Sequence, residues 1–217
     1  QRLADSDLDK AVGSVIYTQF LNQNGGVIAD LTITRLAEDR FRVVTGSSFI
    51  ANDLAWIKMH IQPDDDDVEI RDITLDLACL ALWGPKARKV LAEVSADDVS
   101  NQAFPYLHST TITIRGAEVL AQRVSYVGEL GWELYVSPER AVQVWDALMA
   151  AGQAHEIEVG GYKALDSLRL EKGYRYYTAD VTPLENPYEA GLGFCVKLNK
   201  GDFLGKEALL KAKEAGI

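Results

Sequence analysis

The chain has 217 residues, 47% of them hydrophobic and 25% charged, enough apolar material for a sizeable core and too much for a disordered segment. Its formal net charge of -10 excludes the concentrated basic surface that a nucleic-acid backbone requires. No run approaches the roughly 18 apolar residues of a membrane span, and residues 1–10 are mixed and charged, unlike a signal peptide or transit segment.

The apolar stretch 15–21 reads as a strand. Residues 22–26 form its turn, where glycine supplies the positive φ that tight turns need. Residues 27–34 read as a second strand and 41–45 as a third, after a polar turn at 37–40. Ser47 or Ser48 is placed to cap a helix running to about His60, with Ile50, Leu54, Ile57 and Ile61 along one face. The acidic run at 64–67 lacks the alternating spacing of a calcium loop and reads as a solvated loop. Residues 73–83 read as one long apolar strand. Gly84 and Pro85 then open a helix with Pro85 in its first turn and Ala87, Val90, Leu91 and Val94 as its buried stripe. Strands are expected over 110–114, 118–126 and 132–136, separated by glycine turns at Gly116 and from Gly128 to Gly131. The next helix takes Ser137 as N-cap, Pro138 after it, Ala141, Trp145 and Leu148 inward, and Gly152 at its end. The last third carries a helix over about 162–172 stopped by Gly173, a strand over 193–198 and a short helix over 205–212.

Hairpin followed by helix thus occurs twice, in weakly related units from Asp30 to Trp56 and from Gln122 to Trp145. That pattern predicts an internal duplication and an α+β fold rather than a parallel βαβ sheet. Cys79 and Cys195 each sit in an apolar run without a CxxC partner and read as core thiols. His60, His108 and His155 are isolated, so neither a metal cluster nor a histidine triad is indicated. Dinucleotide, P-loop, zincin and nucleophile-elbow signatures are absent.

Three constellations carry candidate chemistry. Gly25, Gly26, Asp30 and Thr32 place a carboxylate just after a glycine turn, inside an apolar strand, with Asp30 and Thr32 on one face. Such a group is costly to bury unless something pairs with it, and a solvated turn-proximal acid is the plain alternative. Tyr126, Gly128, Gly131 and Glu133 set an aromatic surface beside an acid, which suits a planar heterocycle with an amidine-like N–H edge; an outward Glu on a hairpin is the alternative. Arg169 follows Asp166 by three residues on one helical face, as a structural pair or as an anion-binding group.

In chain order, these stretches resemble the folate-binding domain of the glycine-cleavage T-protein (aminomethyltransferase) family. The residues that carry the likeness are Asn22, Gly25, Gly26, Asp30 and Leu31, then Leu80, Gly84 and Pro85, then Tyr126, Gly128, Glu129, Gly131, Trp132 and Glu133, then Asp166 to Glu171. Residues 171–175, Ala179, Asp180, 187–193 and 203–207 are more similar to the C-terminal folate module of dimethylglycine and sarcosine dehydrogenases and oxidases. The likeness covers about residues 12–211. It implies a T-protein-type domain of duplicated hairpin-plus-helix units. Residues 1–62 would form part of a first folate-binding subdomain, 68–200 a second subdomain and the return to the first, and 201–217 the start of a linker to a C-terminal barrel outside this chain.

The resemblance also implies roles. Asp30 is the catalytic carboxylate beside the folate nitrogens, Thr32 lies next to it, Glu133 binds the pterin edge, Tyr126 and Tyr106 flank the ring, and Phe194 lines the pocket. No metal is implied. The activity would be tetrahydrofolate-dependent capture of an iminium or aminomethyl carbon from an amine, giving 5,10-methylenetetrahydrofolate. An FAD oxidoreductase module in the same full-length chain is implied by the dehydrogenase branch alone. One departure stands out: the T-protein arginine preceding the Asp of the last motif is replaced here by Leu165, and neither Lys163 nor Arg169 is assigned its role. Asp30 and Glu133 leave open a folate-dependent methyltransferase or demethylase, and a non-enzymatic folate-binding scaffold. A cytoplasmic location is expected, or the mitochondrial matrix in a eukaryote.

Overall fold

A computed structural model describes residues 1–216 as two compact units. The first comprises Gln1–Asp72 with the segment from Arg175 onward, and the second Ile73–Tyr174.

In the first unit, β1 (Val15–Leu21), β2 (Val27–Arg35) and β3 (Phe41–Val44) form an antiparallel sheet in that order. The β1–β2 turn is built by Asn22, whose Oδ1 accepts the Asn24 and Gly26 N–H groups at 2.9 and 3.0 Å, with Gly25 at φ +81°. Ile16, Phe20, Ala29, Leu31 and Ile33 point to one face, where Ala4, Leu8, Trp56 and Ile57 cover them. Leu21 faces the side opposite Phe20 by alternation, and the register shift between them brings Val27 to that same side. There they join Val181, Ala190, Leu192, Val196, Phe203 and Leu209 in a second apolar cluster. The helix α1 (Ile50–Met59) follows a short helical turn at Ser47–Phe49, and neither serine side chain caps it. Asp53 is its buried residue; Ile50, Leu54 and Ile57 are half-buried as expected, with Ile57 against the core, while Ile61 lies beyond the helix end and is exposed.

In the second unit, β4 (Ala78–Trp83), β5 (Ser109–Ile114), β6 (Ala117–Gln122) and β7 (Gly131–Val136) form an antiparallel sheet in the order β4-β7-β6-β5. The helices are α2 (Ala87–Val94), α3 (Pro138–Gly152) and α4 (Tyr162–Glu171). The α2 stripe Ala87, Val90, Leu91 and Val94 is buried as its spacing requires, in one core with Trp132, Leu134, Ile112, Val119, Val144 and Leu148. Burying each such Val, Leu or Ile contributes about 1.5–3 kcal/mol.

Several expectations need correction. The stretch 73–83 divides into a helical turn at Thr74–Asp76 and the shorter β4. Cys79 is exposed, because β4 is an edge strand on which Leu82 faces the core and Cys79 lies on the alternate side; Cys195 is buried. β6 stops at Gln122, where the Val124 N–H turns back onto the Gln122 carbonyl at 2.9 Å. Val144, not Trp145, is buried on α3, and Ser137 makes no capping bond. Residues 193–198 form turns rather than a strand, closed by Cys195 N–H on the Leu192 carbonyl and Val196 N–H on the Gly193 carbonyl, at 3.0 and 3.3 Å. The last helix, α5, spans Lys206–Glu214 in the first unit. No helix among the described residues is long and apolar enough to cross a membrane.

Candidate functional site

The six residues singled out divide between the units: Asp30, Thr32 and Phe194 in the first, Tyr106, Tyr126 and Glu133 in the second. In β2 the alternation that buries Ala29, Leu31 and Ile33 leaves Asp30 and Thr32 half-buried on the other face. Across the hairpin Gln19 stands opposite Asp30, and Tyr17 opposite Thr32. The Tyr17 ring stacks on Phe194 with centroids 6.2 Å apart and planes at 26°, so one aromatic pair borders this part of the strand. Phe194 itself is 67% exposed, unusual for so large an apolar ring.

The Asp30 carboxyl is held against its preference. Its Oδ1 is buried and has no hydrogen-bond partner. Burial pushes its pKa from 3.8 up to about 6; the Tyr17 and Gln19 side chains pull it down, and the nearby Asp5 carboxyl adds to the rise. Tyr177 belongs to the same neighbourhood. Burial raises its hydroxyl above the usual value, with Asp53 and then Asp30 adding to the effect, and its ring meets Phe49 edge-on at 5.3 Å. Asp53 in turn accepts the Thr45 hydroxyl.

In the second unit, Trp132 and Leu134 of β7 enter the core, which leaves Glu133 half-buried on the opposite face. The Tyr135 hydroxyl donates to Glu133 Oε2 at 2.6 Å and fixes the carboxylate's orientation, and Gln122 stands opposite Glu133 across the sheet. Tyr126 lies near Tyr174, ring centroids 6.4 Å apart at 35°. Tyr106 is 59% exposed; partial burial and then Tyr174 raise its hydroxyl pKa. Tyr174 therefore links both predicted ring-flanking tyrosines.

The third constellation is structural. Arg169 is buried, donates from Nε and Nη2 to Asp166 Oδ1 at 2.8 and 2.7 Å, and from Nη1 to the Tyr174 carbonyl at 2.9 Å. Its work is to close the end of α4 and fix Tyr174. Leu165 is half-buried on the same helix. Two of the histidines make single polar contacts: His60 Nδ1 meets the Trp56 carbonyl at 2.8 Å, and His155 meets Glu93 at 2.6 Å. Among the described residues no three His, Cys, Asp or Glu side chains converge as metal ligands.

Tyr17, Tyr174 and Tyr177 escaped the sequence reading. Tyr17 stands opposite Thr32 because the register shift between Phe20 and Leu21 moves the pairing by one residue from the register set at the turn 22–26, and no sequence signal marks that shift. Tyr174 and Tyr177 lie outside regular elements, where no periodicity aims a side chain. Chemically, a poorly solvated carboxyl beside a hydroxyl and an aromatic pair is suited to hold a cationic or N–H-bearing ligand. It is also suited to exchange a proton near neutral pH.

The chain matches the GCVT N-terminal domain family over residues 1–200, and it belongs to that family. An aminomethyltransferase from Halothermothrix orenii is 43% identical over 205 residues, which cover 94% of this chain and 56% of that protein. The mitochondrial dimethylglycine dehydrogenase of Homo sapiens is 41% identical over 207 residues, 95% of this chain and 24% of that protein. Among solved structures, glycine cleavage system aminomethyltransferase T from Bartonella henselae aligns with a TM-score of 0.82 at 28% identity, covering 99% of this chain and 57% of that one. The α+β architecture is thus that of the T-protein. The chain spans between 24% and 56% of the length of these two sequence relatives.

Proposed function

We propose, from that family membership and the geometry around Asp30, that this chain is the folate-binding part of an enzyme that moves a one-carbon unit from an amine donor to tetrahydrofolate. The observation that carries the reading is Asp30 Oδ1, a buried carboxyl oxygen without a partner on the half-buried face of an otherwise apolar strand. Native interiors seldom leave such an atom unpaired without a use for it. A ligand bearing N–H groups or positive charge fits it.

Tetrahydrofolate, when bound, supplies the nucleophilic nitrogen that takes up the carbon. Asp30 stabilises positive charge on an iminium donor, and its Oδ1 accepts the proton released at the attacking nitrogen. A carboxyl with a pKa of about 6 is largely ionised above neutral pH yet basic enough to take that proton. Its partial exclusion from water strengthens both effects. Thr32 offers a hydroxyl on the same strand face, and Phe194, stacked on Tyr17, an apolar wall. Glu133, oriented by Tyr135, is suited to accept N–H bonds from the edge of a pterin, and Tyr106 and Tyr126 offer ring faces for stacking. The dimethylglycine dehydrogenase likeness supports a donor amine delivered by an FAD oxidoreductase module of a longer chain.

Calorimetric titration with tetrahydrofolate tests this. Saturable binding that Glu133→Ala abolishes, and turnover that Asp30→Asn lowers while binding persists, are the expected results. Absence of binding by the full-length protein retires the reading.

A further inference from the structure

The first unit holds a second buried carboxyl that the mechanism above leaves unused. Asp5 has no accessible surface. Its Oδ1 accepts the Thr18 hydroxyl at 2.7 Å and the Gln19 N–H at 2.9 Å, and its own N–H donates to the Gln19 carbonyl at 3.1 Å. Asp5 therefore closes the free edge of β1 at Gln19, since β1 ends its sheet. With both its backbone groups turned toward Asp5, Gln19 exchanges no backbone bonds with Asp30 opposite it. The two form the closer kind of antiparallel pair, with Cα atoms about 4.5 Å apart and side chains side by side on one face.

Along this line Asp5 Oδ2, both amide atoms of Gln19 and Asp30 Oδ1 are buried without a well-aligned hydrogen bond, although the Gln19 side chain lies close enough to favour the Asp30 carboxylate. Three neighbouring residues thus keep poorly satisfied polar groups together, and such clusters mark function more than packing. The surrounding titratable groups are few. Tyr17 faces Asp30 from β1, Tyr177 from the turn after the second unit, and Asp5 from the N-terminal segment. Cys195 responds to both carboxyls; burial, Asp5 and Asp30 push its thiol up to about 12, against an opposing contact from Gln19 and the Lys197 charge. Asp5 is faced by Tyr188 and by Lys200, whose ammonium donates to the Gln1 and Ala4 carbonyls, each at 2.6 Å. Burial lifts Asp5 itself to about 6.

We propose that Asp5 tunes Asp30: its edge clamp on Gln19 fixes a second acidic group close behind the Asp30 carboxyl, beside the Gln19 amide. The proposal rests on the reading of Asp30 as the working carboxylate. A purely structural edge cap would do the same backbone work without affecting Asp30's titration, and this separates the two roles.

The test is a carboxyl-carbon NMR titration of the whole chain labelled at aspartate, in Asp5→Asn and wild type, without folate. Asn retains the Oδ1 acceptor for Thr18 and Gln19 but removes the charge. The midpoint of Asp30 is expected to shift to lower pH, because the Asp5 charge adds to the rise that burial causes. An unchanged Asp30 midpoint in folded Asp5→Asn overturns the proposal. If that variant does not fold, the wild-type curves decide: two carboxyls that each show the other's ionisation as a second inflection support the coupling, and two independent single-step curves refute it. Where the protein turns over, the acid limb of its pH–rate profile moves down in Asp5→Asn. Tetrahydrofolate binding, measured separately, reports on the functional reading alone, so the two ideas fail independently.

Discussion

Asp30→Asn should make the protein more stable and less active. The substitution keeps the shape of the side chain and removes its charge. Burial raises the Asp30 carboxyl from 3.8 to about 6, so its ionisation is disfavoured in the folded chain by about 2 pKa units, or about 3 kcal/mol at 1.36 kcal/mol per unit. Asp30 is only half-buried, and solvent screening reduces this to about 1–2 kcal/mol. The sign follows from the direction of the shift. For a carboxyl with a raised folded pKa, the contribution to stability is complete below 3.8 and is lost as pH rises through about 6. Asn undergoes no such loss. At pH 8 the variant should therefore melt about 2–8 °C higher than wild type, given about 2–4 °C per kcal/mol for a chain of this size. Near pH 4, where wild-type Asp30 is protonated, the difference should largely vanish. Scanning calorimetry at both pH values measures this, with turnover assayed in parallel and expected to fall. An equal or lower melting temperature at pH 8, or a gain that persists undiminished at pH 4, refutes the assignment of Asp30 as a strained, desolvated acid.

Two further outcomes follow from packing and exposure. In Gly26→Ala the new Cβ would stand 1.9 Å from the Pro183 carbonyl oxygen, a backbone atom that no rotamer change relieves. A loss of about 1–3 kcal/mol is expected in urea unfolding, and a wild-type midpoint would show that the turn accommodates a side chain. Iodoacetamide at pH 8 should modify Cys79, which is exposed, and spare Cys195, whose buried thiol titrates at about 12; rapid modification of both in the native protein would contradict that burial.

Much of the fold was readable because burial imposes strict periods. The alternation through Ala29, Leu31 and Ile33 and the α2 stripe of Ala87, Val90, Leu91 and Val94 require a strand and a helix, and both formed where expected. The misses arose where apolar content has no fixed period. Residues 193–198 are apolar because the turns they form lie against the cluster containing Leu192 and Phe203. On α3, Val144 and Trp145 are equally apolar neighbours, and packing against the sheet selects between phases that differ by one residue. For Cys79, the sequence could not say that β4 would be an edge strand, which is a property of strand order.

The site divides along the same physical line. Asp30 was conspicuous because a charged residue interrupts an apolar strand, a local contradiction visible in one dimension. Its supports are not contradictions. Tyr17 and Gln19 are ordinary residues in a buried strand, and Asp5 is one of several acids in a charged N-terminal stretch. What sets them apart is created by pairing: the hairpin brings Gln19 to Asp30, and the closed edge of β1 brings Asp5 to Gln19. A substitution at Asp5 would look from sequence like a change in a solvated tail. In the folded chain it removes a fully buried charge that bears on Asp30. The residues that tune a carboxyl in such a sheet are thus found by following main-chain hydrogen bonds outward from it, since those bonds decide which side chains share a face and how closely they stand.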